Sequence, residues 1–247
     1  RGHFYDNHRQ RVDYRLIRGS GYYRKFQRIA GDLAAFDPAT LATDAERIAF
    51  WVNVYNAIII HGVIELGIQD SLREVPGFFR GIRYRVGAHT YTPDEIEHGI
   101  LRGNARPPLS LRRPFGPGDP RRALAVSDPD PRIHFALVCG SRHCPPIAVY
   151  EAASLGQQLE TAAKVFLNAT TEVDPEAGTV RVSRVFRWYR RDFAEGEPEL
   201  LRSIAHRLYD TAKSEWLERK AAEVGVHYAP YDWRLNQTSG AVPPDAP

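Results

Sequence analysis

The sequence predicts an α+β fold: one helix-rich domain in which a central buried helix packs on a small, mostly antiparallel sheet. Three observations lead there. Residues 43–66 read as a helix that is apolar almost all round, carrying Ile48, Phe50, Trp51, Val54, Ile58, Ile59, Val63 and Ile64; a helix with no polar face belongs in the middle of a protein. Short runs at 82–86, 89–91 and 179–182 read as strands, each beside a glycine-containing turn. The 247 residues suffice for one large domain with a proper core. The segment 106–131 carries seven prolines and little periodicity but no shift in composition, so it marks no boundary. We therefore expect a single domain over 13–236, an N-terminal extension at 1–12 and a frayed tail at 237–247.

The elements follow in order. Leu16, Tyr22, Phe26, Ile29 and Leu33 recur at helical spacing but are interrupted by Gly19-Ser20-Gly21, which predicts two short helices. Thr43 and Glu46 have capping-box spacing at the start of the central helix, and Gly67 suits the left-handed position after its end. The strand pair at 82–86 and 89–91 turns at Gly87-Ala88. Thr92 and Glu95 form a second capping box, with Pro93 at the first helical position, and open a helix over 93–102 that buries Ile96, Ile100 and Leu101. The stretch 106–131 is expected as a functional or draped loop. Ile133 to Val138 reads as a strand. A helix over 152–168, a hairpin turn at 174–178 and a long helix from Pro198 to about Glu223 complete the chain.

Composition excludes several classes. The net charge of +3 demands neither nucleic acid nor an acidic membrane. Positive charge is carried by 29 Arg against 4 Lys, a bias to which we attach no function. No run approaches the roughly 18 consecutive apolar residues that cross a bilayer, so no transmembrane segment is expected. Two cysteines are too few for a disulfide scaffold. A chain starting Arg1-Gly2-His3 has lost its initiator, to a signal peptidase or to deliberate trimming. No dinucleotide fingerprint, Walker loop, His-Glu-x-x-His or Gly-x-Ser-x-Gly occurs, and no cofactor is expected.

The chemistry concentrates at 131–146, which holds both cysteines, His134, His143 and Pro145-Pro146. Cys139 at a strand end before Gly140 is the candidate nucleophile; His134 or His98 is the candidate base, with Glu97 or Asn53 orienting the ring. On a regular strand His134 and Cys139 would face opposite ways. Cys144 before Pro145 reads as a helix cap, where the dipole lowers a thiol's pKa. A Cys139–Cys144 disulfide, a zinc site and inert core cysteines stay open beside the reactive thiol. On the central helix Asn53, Asn56 and His61 form a polar strip, which either ties loop backbone to the core or lines a pocket floor. Glu97 and His98 are adjacent and so diverge by about 100° on an α-helix; a solvated charged face and a site both explain them, with His98 and Arg102 as i,i+4 neighbours. Asn53, Asn56, His61, Arg102 and Cys144 are the candidate binding residues. Trp51 and Trp188 are expected in or near the core, and the Phe186 to Phe193 stretch packs its aromatics inward rather than stacking bases.

These motifs fall in a recognisable order: Phe50-Trp-Val-Asn-Val-Tyr-Asn-Ala57 with His61; Ile96-Glu-His98 with Leu101-Arg102; Arg132-Ile-His-Phe-Ala-Leu-Val-Cys-Gly140 with Cys144-Pro-Pro146; the Trp-Tyr-x-x-Asp-Phe element ending at Phe193; and Tyr231-Asp-Trp-Arg-Leu-Asn236. The chain resembles the family catalogued as domain of unknown function 547, over nearly all of 13–236. The resemblance implies a shared site at Asn53, His61, Glu97, His98, His134, Cys139 and Cys144, and it implies no reaction. Similar proteins occur in bacteria, often behind an export signal, and in plants within larger chains, so an extracytoplasmic location is the expectation. Two functions are weighed: a thiol-dependent hydrolase or transferase acting through a Cys/His site on a small molecule or peptide, and a non-catalytic ligand- or protein-binding domain with a structural Cys139–Cys144 disulfide.

Overall fold

The computed structural model describes residues 4–6, 11–108 and 110–238. The frayed tail expected at 237–247 lies outside the described residues from 239 on, as do positions 1–3 and 7–10 of the expected extension.

The fold is α+β and is organised by the central helix, Asp44–Glu65. Thr43 and Glu46 form the capping box, and Gly67 ends the helix at φ +63°, a left-handed conformation that costs glycine nothing. Trp51, Val52, Ile58 and Ile59 are fully buried on it. The helix is long and apolar enough to cross a bilayer, yet 67% of its apolar window is covered by the rest of the fold. The two N-terminal helices, Tyr14–Gly19 and Gly21–Asp32, divide at Ser20, whose hydroxyl caps the second.

The strands are spread over several small sheets rather than gathered in one. Tyr84–Val86 and His89–Tyr91 form a hairpin that packs on the central helix, with the Tyr91 and Trp51 rings 4.7 Å apart. Glu172–Asp174 and Thr179–Val182 are antiparallel, and Gly225–Tyr228 joins them in parallel on the far side of Thr179–Val182. This second sheet packs with Leu155–Thr170 and Glu197–Ala205 into its own apolar core around Phe166, Phe186, Leu201 and Leu217. The first core surrounds the central helix.

Four local expectations are corrected. Ile133 to Val138 is no strand: Pro131–Phe135 is a 3-10 helix, opened by Pro131 and capped by the Asp130 carboxylate on the Arg132 N–H, and no neighbouring strand offers it a ladder. Pro145 opens no helix after Cys144. The long C-terminal helix breaks into Glu197–Ala205 and Thr211–Lys220, because Asp210 caps the second by accepting from Lys213 N–H. The element after Thr92 is a π-helix, Glu95–Leu101, in which Arg102 N–H reaches five residues back to the Glu97 carbonyl at 2.9 Å.

Candidate active site

The cysteine turn is fixed from both sides. Asn56 on the central helix clamps the approach, donating to the Ala136 carbonyl at 3.0 Å and accepting from Val138 N–H at 2.8 Å. The C-terminal segment closes the other side: Asn236 N–H donates to the Gly140 carbonyl at 2.9 Å and Arg142 N–H to the Arg234 carbonyl at 2.8 Å. Gly140 takes φ +80°, which lets the chain reverse and carry Cys144 back to Cys139. Both cysteines are free thiols. Cys139 Sγ lies 3.2 Å from Ser141 Oγ and 3.1 Å from the Tyr231 hydroxyl. Cys144 Sγ accepts from the backbone N–H of Cys139 at 3.0 Å and of Ser141 at 3.3 Å. The Cys144 thiol, then Ser141 and Tyr231, hold the Cys139 thiol below its ordinary pKa against the opposing effect of burial. Burial, and then the Cys139 charge beside it, push Cys144 up. One sulfur of the pair carries the negative charge, and it is Cys139.

A second polar group assembles from the π-helix, the 3-10 helix and the turn Arg190–Phe193. Arg102 forms a two-pronged ion pair with Asp192, Nε to Oδ2 at 2.5 Å and Nη2 to Oδ1 at 2.7 Å. Its Nη1 lies 3.0 Å from His98 Nδ1. A guanidinium can only donate, so His98 Nδ1 accepts; in the neutral ring the proton is then on Nε2. Burial, despite nearby Glu97, drives His98 below the usual imidazole value, consistent with a neutral ring. Asp192 Oδ2 also meets His134 Nε2 at 2.8 Å. The Arg102 and His134 hydrogen bonds overcome burial and hold the Asp192 carboxyl well below the ordinary range. Asp192 therefore accepts and His134 Nε2–H donates, which leaves the lone pair on His134 Nδ1.

Tyr189 ties the two histidines together. Its ring stacks on His134 with centroids 3.9 Å apart, and the Arg102 guanidinium lies 5.1 Å from its centre. Its hydroxyl bonds Glu97, which also lies 3.4 Å from the Tyr55 hydroxyl. Burial opposes the Glu97 charge, but His98, His134, Tyr189 and Arg102 outweigh it and lower the pKa. With His98 driven towards the neutral form, Arg102 and the Tyr189 hydroxyl do most of this at neutral pH.

Both groups face one cavity of about 260 Å³ between the two apolar cores. Cys139, Glu97, His98 and His134 line it, and Trp188, Tyr231 and Trp233 form an aromatic wall. The expected catalytic four thus share one space. His134 and Cys139 can do so because the 3-10 helix removes the alternation that a strand would impose. Glu97 and His98 can because the π-helix is wider than an α-helix, and their burial rules out the solvated charged face.

The other expected residues lie elsewhere. Asn53 brackets Tyr150, donating to its carbonyl at 2.8 Å and accepting from its N–H at 3.0 Å; like Asn56 it ties loop backbone to the core. His61 is outside the cavity, among Tyr23, Phe26 and Tyr84, with Nδ1 on the Tyr84 hydroxyl and Nε2 3.6 Å from Glu65. Arg102 works behind the histidines, and Cys144 behind Cys139. Trp51 is core as expected, whereas Trp188 is only half-buried and belongs to the cavity wall. Asp192, Tyr189, Ser141 and Tyr231 were not among the expected site residues. Asp192, Tyr189 and Tyr231 sit in motifs that carried the resemblance, the one signal that pointed to them. Among the described residues no group of three or more His, Cys, Asp or Glu side chains is arranged to hold a metal ion.

An uncharacterised family is what the fold and this site define. Residues 39–167 match the family described as "Protein of unknown function, DUF547", and the chain belongs to it. The matched span holds the central helix, the π-helix and the cysteine turn, and stops short of Asp192 and Tyr231. No curated protein matches the chain, and no solved structure does.

Proposed function

We propose that the domain is a thiol-dependent hydrolase or transferase with Cys139 as its nucleophile and His134 as its base. The observation that carries this reading is the pairing, on one cavity, of a thiol surrounded by donors with an imidazole whose far nitrogen is committed to Asp192. A thiolate is the reactive form of cysteine, and a carboxylate behind an imidazole sets its tautomer so that the other nitrogen can exchange a proton with substrate. Cys139 Sγ would attack an acyl carbonyl, and the leaving group would depart with a proton carried by His134. Water or an acceptor would then release the acyl group from sulfur with the proton returned to His134. His98, already accepting from Arg102, would serve as a donor to substrate rather than as the base. The aromatic wall suits a small molecule or an extended peptide.

Iodoacetamide and an activated aryl ester test the proposal. Native, reduced protein should be modified at Cys139 faster than a free cysteine at neutral pH, and Cys139→Ser should abolish that modification while leaving the melting curve unchanged. A Cys139 that reacts only after unfolding would remove the catalytic reading. A second reading, a non-catalytic binding domain, draws on the fact that both sulfurs bond Ser141 and Tyr231 rather than an imidazole. Slow alkylation together with saturable ligand binding in the cavity would favour it.

A further inference from the structure

We infer that Cys139 and Cys144 act together as a redox-active dithiol, Cys139 attacking a small disulfide and Cys144 resolving the mixed disulfide, so that the domain carries a thiol–disulfide exchange activity. The inference rests on Cys139 being the reactive thiol of the proposed function, and adds a role for the sulfur behind it. Four geometric facts carry it. Only Cys139 of the two lines the cavity, so an incoming reagent meets that sulfur first. Ser141 Oγ lies 3.2 Å from one sulfur and 3.4 Å from the other, and the Tyr231 hydroxyl lies 3.1 Å from one and 3.9 Å from the other. The two thiols thus share the same pair of hydroxyls. Cys144 Sγ is folded back onto the backbone N–H of Cys139 itself, at 3.0 Å, which stations it beside the residue it would attack. Finally, both cysteines are free in a turn that already brings them together, so closing the bond needs no refolding of the segment.

The electrons balance in two displacements. The Cys139 thiolate attacks one sulfur of the disulfide R–S–S–R; an S–S bond forms to Cys139 and one thiolate, RS⁻, leaves and takes a proton from solvent. Cys144, deprotonated, then attacks Cys139 Sγ; the second RS⁻ leaves and the Cys139–Cys144 disulfide remains. The substrate disulfide is reduced by two electrons and the dithiol is oxidised by two. A low-molecular-weight dithiol returns the protein to its starting state. The order of events is built into the pair. While Cys139 carries the charge, its field and burial keep Cys144 protonated. Once Cys139 is tied up as a neutral mixed disulfide, that opposition ends. The N–H groups of Cys139 and Ser141 then face Cys144 Sγ as ready donors for its thiolate, and thiolate character sets the rate of the second attack.

Cystamine is a suitable small disulfide, with products read by intact mass and by counting the thiols released. Wild-type protein should release two thiols per chain and end unmodified except for the loss of two hydrogens. Cys144→Ser should release one and stay trapped as the mixed disulfide at Cys139. Cys139→Ser should release none at a comparable rate. Dithiothreitol should restore the wild type fully. A wild-type protein that stops at a stable mixed disulfide overturns the inference even if Cys139 is alkylated rapidly, which leaves the proposed hydrolase or transferase standing. Inertness of Cys139 towards both cystamine and iodoacetamide overturns both. The wild-type end product decides the matter by itself should Cys144→Ser fold poorly, and Cys144→Ala offers a second trap.

Discussion

Two sets of buried polar side chains flank the cysteine turn, and they commit their hydrogen bonds to different things. Asn53 and Asn56, on the central helix, each bond both a carbonyl and an N–H of loop backbone. Nothing is left over on either amide for a ligand to contest. Arg102, Asp192, His98 and His134 bond chiefly one another, and two of the four also line the cavity. Polarity at a buried position is therefore a poor guide to function by itself. What separates the sets is whether the partners are backbone, which has no other state, or titratable groups, which do.

The comparison can be broken by mutation. The largest effect should come from Arg102→Met, which strands the Asp192 carboxylate and removes the donor to His98. Breaking a buried pair by removing one partner costs about 3–5 kcal/mol, seen as a lowered denaturation midpoint, and Cys139 reactivity should fall with it. Asn56→Ala leaves Ala136 and Val138 backbone groups unsatisfied and should cost about 2–4 kcal/mol. Measured well below its own melting range, it should alkylate at a rate close to wild type. Equal losses of reactivity in the two variants would erase the distinction between the sets.

Asp192→Asn sharpens it further. An amide can still bond Arg102 and His134 but no longer fixes the imidazole's proton on Nε2. We expect a modest stability change and a fall of at least about tenfold in the rate of Cys139 acylation, within the range that general-base assistance supplies. A stopped-flow ester assay measures it; an unchanged rate would dismiss His134 as the base.

The smallest effect concerns Asp94, on the cavity rim, where burial and then Glu97 push its carboxyl up to about 6. Its folded pKa is above the unfolded value of about 3.9, so the folded state binds the extra proton and stability falls as pH rises through that window. Asp94→Asn should raise the melting midpoint at about pH 8, by no more than about 1 kcal/mol after solvent screening, and the gain should vanish at about pH 4. A gain that persists at acid pH would point to packing instead.

Local devices were legible in the sequence. Both expected capping boxes, at Thr43–Glu46 and Thr92–Glu95, form, and so do the break at Ser20 and the left-handed Gly67, because each is decided within a few residues. The 3-10 helix at 131–135 was legible too, by a signal that went unread. Asp-Pro opens such a helix three times, with Asp37, Asp119 and Asp130 each accepting from the N–H two residues on. Apolar Ile133, Phe135 and Leu137 resembled a strand only while that punctuation was ignored. Asp192 was another matter. It lies 90 residues from Arg102 and 58 from His134, and nothing in the spacing of a single sequence announces so distant a partner. The π-helix, likewise, arises from a packing choice that the Thr92 cap leaves open.

That π-helix bears on which changes of chain length the site can survive. In the loop at 106–131 a residue more or less need disturb little. Between Glu95 and Leu101 the wide turn already holds a surplus residue relative to α-helical winding. Deleting one there would let the segment relax to ordinary pitch and rotate all that follows by about 100°. Glu97 and His98 would stay with the first half and Arg102 would go with the second, losing Asp192. Gly99 adds a second restriction, since a Cβ there would run into the Phe115 ring. Members of the family that keep the Arg102–Asp192 pair should therefore keep the length of this segment unchanged, whatever happens in the loop beyond it.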